Sequence, residues 1–279
     1  MTDADVRVTG LYVYPVKSCA GTPLAEAEVG PRGIMHDREY MVVDPAGGFL
    51  TQRELPRMAL IRPTLDPDGL RLEAPGMPPI CVPAGTDRGR RRVTVWRDRV
   101  DALDQGGPVA AWLTDFLGRP CRLVRQPADA VRPVDPAFAP RPTDQVSFTD
   151  GFPFLLISEE SLADLNRRLP TPLPMDRFRP SIVVRGCDAP YAEDTWAAVR
   201  IGALRFSVVK ACARCAITTT DQATAERGVE PLATLATYRR VERGVLFGQN
   251  LVHAGTGRLA RGDRVVVLSA APRPAFIEG

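Results

Sequence analysis

Proline sets the first limit on what this chain can become. It occurs 27 times among 279 residues, about twice its average share of ~5%. Each proline fixes φ and removes a backbone donor, which stops helices and confines sheet pairing to short runs. Between the breaks, Val6, Val8 and Leu11–Tyr14 read as a strand running into a loop at Pro15–Val16–Lys17. Further strands are predicted at Tyr40–Val43, Leu60–Ile61, Ile80–Val82 and Val93–Trp96, separated by Pro, Gly and Asp turns. One stretch is helical instead: Val109, Trp112, Leu113, Phe116 and Leu117 recur at helical spacing, with Pro108 suited to the first turn and Gly118 to the stop.

Pro127, Pro133, Pro136, Pro140 and Pro142 crowd one segment that can neither continue a helix nor join a central strand. The boundary between two halves is therefore expected there, with a first domain at 1–125, a Pro-rich linker at 126–144 and a second domain at 145–270. In the second half Phe154–Ile157 reads as a buried strand, and Ser158 caps a helix carrying Leu162, Leu165 and Leu169. Strands are predicted at Ser181–Val184, Ala198–Ile201, Leu204–Val209 and Val265–Leu268, with a short helix at Pro231–Tyr238. Ala216–Thr220 reads as the continuation of a β-branched strand. Antiparallel strands with few helices indicate a mixed α/β, β-rich fold of barrel-like sheets.

Composition narrows function. The formal net charge is +3, too mild for a nucleic-acid partner, and the basic run Arg88 with Arg90–Arg92 reads as a solvated hairpin. No apolar stretch approaches the ~18 residues of a membrane span. The acidic opening Met1–Asp5 lacks the layout of a secretory signal, so a soluble, cytoplasmic chain without a membrane partner is expected. Six cysteines in that setting are expected to be reduced thiols. Of the 36 basic residues only Lys17 and Lys210 are lysine, and each stands two places before a cysteine. A compact ammonium and a planar guanidinium are not interchangeable, which points to a need for point charges beside those thiols.

Cys212–Ala213–Arg214–Cys215 is the most reactive-looking tetrapeptide, because Lys210 and Arg214 supply charge that favours a thiolate. A zinc site would need a second cysteine pair, but Cys19, Cys81, Cys121 and Cys187 are isolated and His36 and His253 are the only histidines. Both histidines read as ordinary hydrogen-bonded residues. A thioredoxin-type dithiol needs a helix after the pair, where a strand is expected. Two structural cysteines, or one cysteine on a soft, redox-active metal, stay open. Lys17–Ser18, Arg38 and Arg179 carry the donors an anion such as phosphate requires. No Gly-x-Ser-x-Gly, Gly-x-Gly-x-x-Gly or Walker loop occurs.

In order along the chain, Tyr14–Pro15–Val16–Lys17–Ser18–Cys19, Asp37–Arg38, Asp150 with Pro153–Phe154, Phe178–Arg179–Pro180, Cys212–Ala213–Arg214–Cys215 with Thr218–Thr219, and Phe247–Gly248–Gln249–Asn250 resemble the MOSC-domain proteins. The likeness covers nearly the whole chain and is closest to the branch containing the mitochondrial amidoxime reducing component and its bacterial relatives. It implies a MOSC N-terminal β-barrel domain followed by a MOSC domain with a few peripheral helices. It also implies a molybdenum cofactor, the phosphorylated pterin dithiolene molybdopterin, held between them. By that likeness Cys215 is the metal ligand and Cys212 its structural neighbour. Lys17, Ser18, Arg38 and Arg179 hold phosphate and pterin, Arg214 adds charge, and Asp150 sits near the metal with a catalytic part in moving a proton or placing water. Ala213, Ser181 and Gly151–Phe152 depart from the residues common in relatives and put cofactor orientation in question.

The implied activity is reduction of small N-hydroxylated compounds such as amidoximes and hydroxylamines. Some relatives carry a fused ferredoxin and no such cysteine run occurs here, so a separate electron-transfer protein, a ferredoxin or flavin reductase, is expected. The alternative is a carrier of persulfide sulfur or of the cofactor, without turnover. Pyridoxal phosphate is not expected.

Overall fold

The computed structural model describes residues 5–277; the acidic opening up to Ala4 lies outside the described residues. The first half runs β1 (Arg7–Val13), β2 (Thr22–Leu24), β3 (Glu26–Gly30), β4 (Gly33–Ile34), β5 (Tyr40–Val43), β6 (Arg62–Asp66), β7 (Gly69–Glu73), β8 (Ile80–Pro83), β9 (Arg90–Val95), β10 (Asp98–Asp104), α1 (Gly107–Leu117) and β11 (Arg122–Arg125). The second runs β12 (Phe154–Ser158), α2 (Glu159–Arg168), β13 (Ile182–Arg185), β14 (Trp196–Ile201), β15 (Leu204–Ala213), α3 (Leu232–Ala236), β16 (Arg240–Val241), β17 (Gly244–Ala254), β18 (Gly257–Ala260) and β19 (Val265–Ala270). The fold is β-rich as the prolines require, and its ladders are antiparallel except between β12 and β13. Among the described residues no helix is long and apolar enough to cross a membrane.

The largest sheet has the order β19-β14-β15-β17-β12-β13-β1-β2, with β16 attached to β17. It therefore joins both halves: Leu11 of β1 pairs with Ile182 of β13, and β3 pairs with β18. The expected split at 125–145 runs through this sheet. A second sheet, β5-β11-β10-β9, and the meander β6-β7-β8 come from the first half alone. Against them α1 buries Val109, Trp112, Leu113, Phe116 and Leu117, starting at Pro108 and stopping at Gly118 in the left-handed conformation. Residues 127–142 form neither helix nor strand. They are nonetheless anchored, because Arg132, buried among them, donates to the carbonyls of Ser147 and Thr149 and to Asp98. The Arg88–Arg92 run lies in and before β9 and pairs with Asp129, Asp104 and Asp101.

Two predicted strands are turns. Leu60 ends a 3-10 turn, Pro56–Leu60, opened by a proline whose φ suits it, and Ile61 after it is apolar because it is fully buried in the α1 core. Ala216–Thr219 is also a 3-10 turn. The Thr218 and Thr219 hydroxyls donate to the carbonyls of Cys215 and Ala216, both at 2.9 Å, so these β-branched residues satisfy the backbone locally instead of in a ladder. Strand β17 was not legible, because Gln249 and His253 are buried polar residues and Gly248 breaks its alternation at φ 81.

Phe178 shows how packing aims the second half at the site. It is fully buried, its ring meets that of Phe247 at 4.4 Å, and its carbonyl accepts from Arg214 at 2.7 Å. Phe178→Ala is expected to lower stability by roughly 3–5 kcal/mol in urea unfolding, the cost of truncating a buried phenylalanine.

Candidate functional site

The loop after β1, the turn preceding β13, the segment before β12 and the end of β15 converge on one cavity of about 320 Å³. All seven side chains singled out from the sequence line it: Lys17, Ser18, Arg38, Asp150, Arg179, Arg214 and Cys215. Arg53 and Lys210 join them, so six cations face one carboxylate, Asp150, among the described lining residues. The cavity is built for negative charge.

Three of these residues hold backbone that L-amino acids avoid. Ser18, Arg38 and Arg179 have φ of 66, 48 and 55°, each at a cost of about 1–2 kcal/mol. Local bonds hold two of them in place: the Arg38 N–H donates to the Tyr14 carbonyl at 2.7 Å and the Arg179 N–H to Asp176 at 3.1 Å. Both guanidiniums lie over the Tyr14 ring, at 4.2 and 4.3 Å, and the Tyr14 hydroxyl donates to the Pro180 carbonyl. Burial pushes the Tyr14 phenol far above its ordinary range despite the two arginines, so it stays neutral. Arg38 has a counter-charge in Asp37. Arg179 is 9% exposed, and among the described residues no acceptor receives from its guanidinium. Burial lowers its pKa, opposed by nearby Tyr14, Cys19 and Asp37. The buried Thr149 hydroxyl on the same wall also has no partner.

Cys215 stands where β15 ends. Irregular register along the β15–β17 ladder brings Lys210 opposite Asn250 and Ala213 opposite Leu246, and the Arg214 N–H still donates to the Val245 carbonyl. Cys215 then caps the Ala216–Thr219 turn, its carbonyl taking the Thr218 N–H and hydroxyl, which leaves the thiol on the cavity wall. Arg53 lies on the same wall. Cys212 receives a guanidinium N–H from Arg214 at 3.0 Å. All cysteines are free, and among the described residues no three His, Cys, Asp or Glu side chains gather as metal ligands. His36 pairs with Glu39 and His253 with the Gly30 carbonyl; neither lines the cavity.

Lys17 is buried and donates to the Phe148 carbonyl at 2.8 Å and to Asp150. The second Asp150 oxygen takes Arg53 at 3.2 Å, and the Trp96 indole N–H adds a third donor. Surrounding protein raises the Asp150 pKa, but Lys17, Arg53 and the hydrogen bonds reverse this and hold the carboxyl well below the usual range. It is ionised at neutral pH, so it accepts hydrogen bonds and has no proton to give. Burial in turn lowers the Lys17 pKa, opposed by Asp150.

Sequence reasoning missed Arg53, one arginine among many with no local mark. Lys210 carried the signal of its place before Cys212, and Asn250 that of its position in Phe247–Asn250.

Comparison with known proteins agrees with this architecture. The MOSC N-terminal beta barrel domain matches residues 5–120 and the MOSC domain residues 143–266. Mitochondrial amidoxime-reducing component 1 of Homo sapiens is 38% identical over 94% of this chain and 82% of its own length. The protein of the same name from Xenopus laevis is 36% identical over 92% and 81%. The human molybdenum cofactor sulfurase is 35% identical over 88% of this chain, which spans only 30% of that longer protein.

The Asp150 pairing has a pH signature. A carboxyl depressed in the folded state contributes stability above its unfolded pKa of about 4 and loses it as pH falls below that value. Urea midpoints measured from pH 6 to pH 3 are expected to fall more steeply for the wild type than for Asp150→Asn; parallel curves would show that the pair is not formed.

Proposed function

The chain belongs to the MOSC-domain family, and from that membership we propose that its cavity binds molybdopterin carrying molybdenum and that the protein reduces small N-hydroxylated compounds, amidoximes and hydroxylamines among them. The observation that carries this reading is a free thiol, Cys215, on the wall of a cavity lined by six cations, one of them the buried, unpartnered Arg179. Those residues fit the group. Arg179 lacks the anion a phosphate would supply, and the unpartnered Thr149 hydroxyl can meet a polar ring edge.

Lys17, Ser18, Arg38 and Arg179 would hold the phosphate and pterin, and Cys215 would be the protein's ligand through Sγ. Ala213, Ser181, Gly151 and Phe152 line the same cavity, so the departures from relatives bear on orientation within it. The bound group supplies the two-electron metal chemistry that takes oxygen from nitrogen. Arg214 and Arg53 line the same wall as Cys215 and keep positive charge around it. Asp150, ionised and fixed by Lys17 and Arg53, orients a water or a substrate N–H. Electrons would come from a separate ferredoxin or flavin reductase, and a cytoplasmic setting is part of the proposal; the amidoxime-reducing relatives are named mitochondrial.

The likeness to molybdenum cofactor sulfurase favours a second reading, a carrier of persulfide on Cys215 or of the cofactor. Metal and sulfur analysis separate the two. Protein from a cofactor-producing host is expected to carry about one molybdenum per chain, to release an oxidised fluorescent pterin, and to reduce benzamidoxime with an artificial reductant. Cys215→Ala should lose the metal and drop the rate at least 100-fold, the scale set by removing a metal-site residue. Sulfane sulfur on Cys215 without molybdenum would instead establish the carrier.

A further inference from the structure

Of the three tryptophans, solvent reaches one: Trp96 is 47% exposed, against 6% for Trp112 and 7% for Trp196. It opens the two-residue loop, Trp96–Arg97, between paired Val95 and Asp98 at the tip of β9 and β10. Its φ is 57° while Arg97 has no positive φ. That pattern belongs to a hairpin turn whose first position favours glycine, so a bulky ring there is strained and the turn does not ask for it.

What holds the ring is the cavity. The indole N–H donates to Asp150 at 3.3 Å, the Arg53 guanidinium lies over the ring at 4.8 Å, and Phe49 packs tilted against it at 5.1 Å. Asp150 and Arg53 are both wall residues, so a half-exposed aromatic surface stands at the rim. Phe152, also in the wall, meets Phe138 edge-on at 5.9 Å, and Lys210 lies over Phe138 at 4.2 Å. Two cation–aromatic pairs thus back onto the wall, surfaces that receive flat π-systems better than flexible alkyl chains.

We propose that Trp96 is a specificity-determining residue: its indole, held by Arg53 and Asp150, stacks the planar ring of an aryl-bearing N-hydroxylated substrate at the cavity mouth and gives little to an aliphatic one. This rests on the reductase reading and deepens it by naming the substrate class.

The test has two arms. In cofactor-free protein, Trp96 supplies the fluorescence that acrylamide reaches, and benzamidoxime is expected to shield it while acetamidoxime does not. In cofactor-loaded protein, Trp96→Gly is expected to raise KM for benzamidoxime about tenfold more than KM for acetamidoxime, the scale of a lost aromatic stack, while loss of the indole bond to Asp150 acts on both substrates alike. Trp96→Phe should keep most of the affinity. Because glycine suits the turn, the melting temperature of Trp96→Gly should hold or rise; a fall of more than about 5 °C, with both substrates weakened alike, would make Trp96 a structural anchor and overturn the proposal. Reduction of both substrates without shielding overturns the stacking alone. Shielding without reduction by loaded protein leaves the stacking and removes the reductase.

Discussion

A single buried ammonium joins the parts of this protein that matter most. Lys17 leaves the loop after β1 and reaches the Phe148 carbonyl and the Asp150 carboxylate, in the segment that leads into β12. An ammonium that has lost its water requires such partners, so the loop and the segment are held at a fixed separation, and the cavity opens between them. Arg53 repeats the tie from a third direction, pairing with Asp150 on the wall it shares with Cys215. The same network that closes the wall therefore decides the ionisation of the one carboxylate in it and the electrostatic setting of the thiol.

The cavity is positively charged at a cost. Left-handed backbone at Ser18, Arg38 and Arg179 and a buried guanidinium without a counter-ion all work against folding. They persist because the Tyr14 ring, the Asp37 carboxylate and the paired aromatics Phe178 and Phe247 surround them. A bound anion would relieve much of the desolvation, coupling occupancy to stability.

Much of the site was legible because its chemistry is local in the chain. Cys212–Cys215, Lys17–Ser18 and Phe178–Arg179 declare themselves by residue type and spacing, and all of them reach one cavity. Helix α1 was equally plain from its apolar period and its Pro and Gly ends. What escaped was set by tertiary context. Arg53 matters only because Asp150 and Cys215 happen to face it, and Thr218–Thr219 looked like strand until their hydroxyls turned back to the preceding carbonyls. The Pro-rich segment is irregular, and buried Arg132 makes it a fastening for the 147–149 backbone, a role composition alone does not carry.

The pairing of β1 with β13 reaches past function to how the protein is made. Strand β1 can pair early with β2, but its other edge finds a neighbour only after the ribosome has released residues around 182–185, so Leu11 waits for Ile182. Until then its buried face and its unmet amides are open to other chains. Loop closure over such a span is slow, and fragments cut at the Pro-rich segment would leave β1 and β2 on one piece and the other seven strands of the sheet on the other.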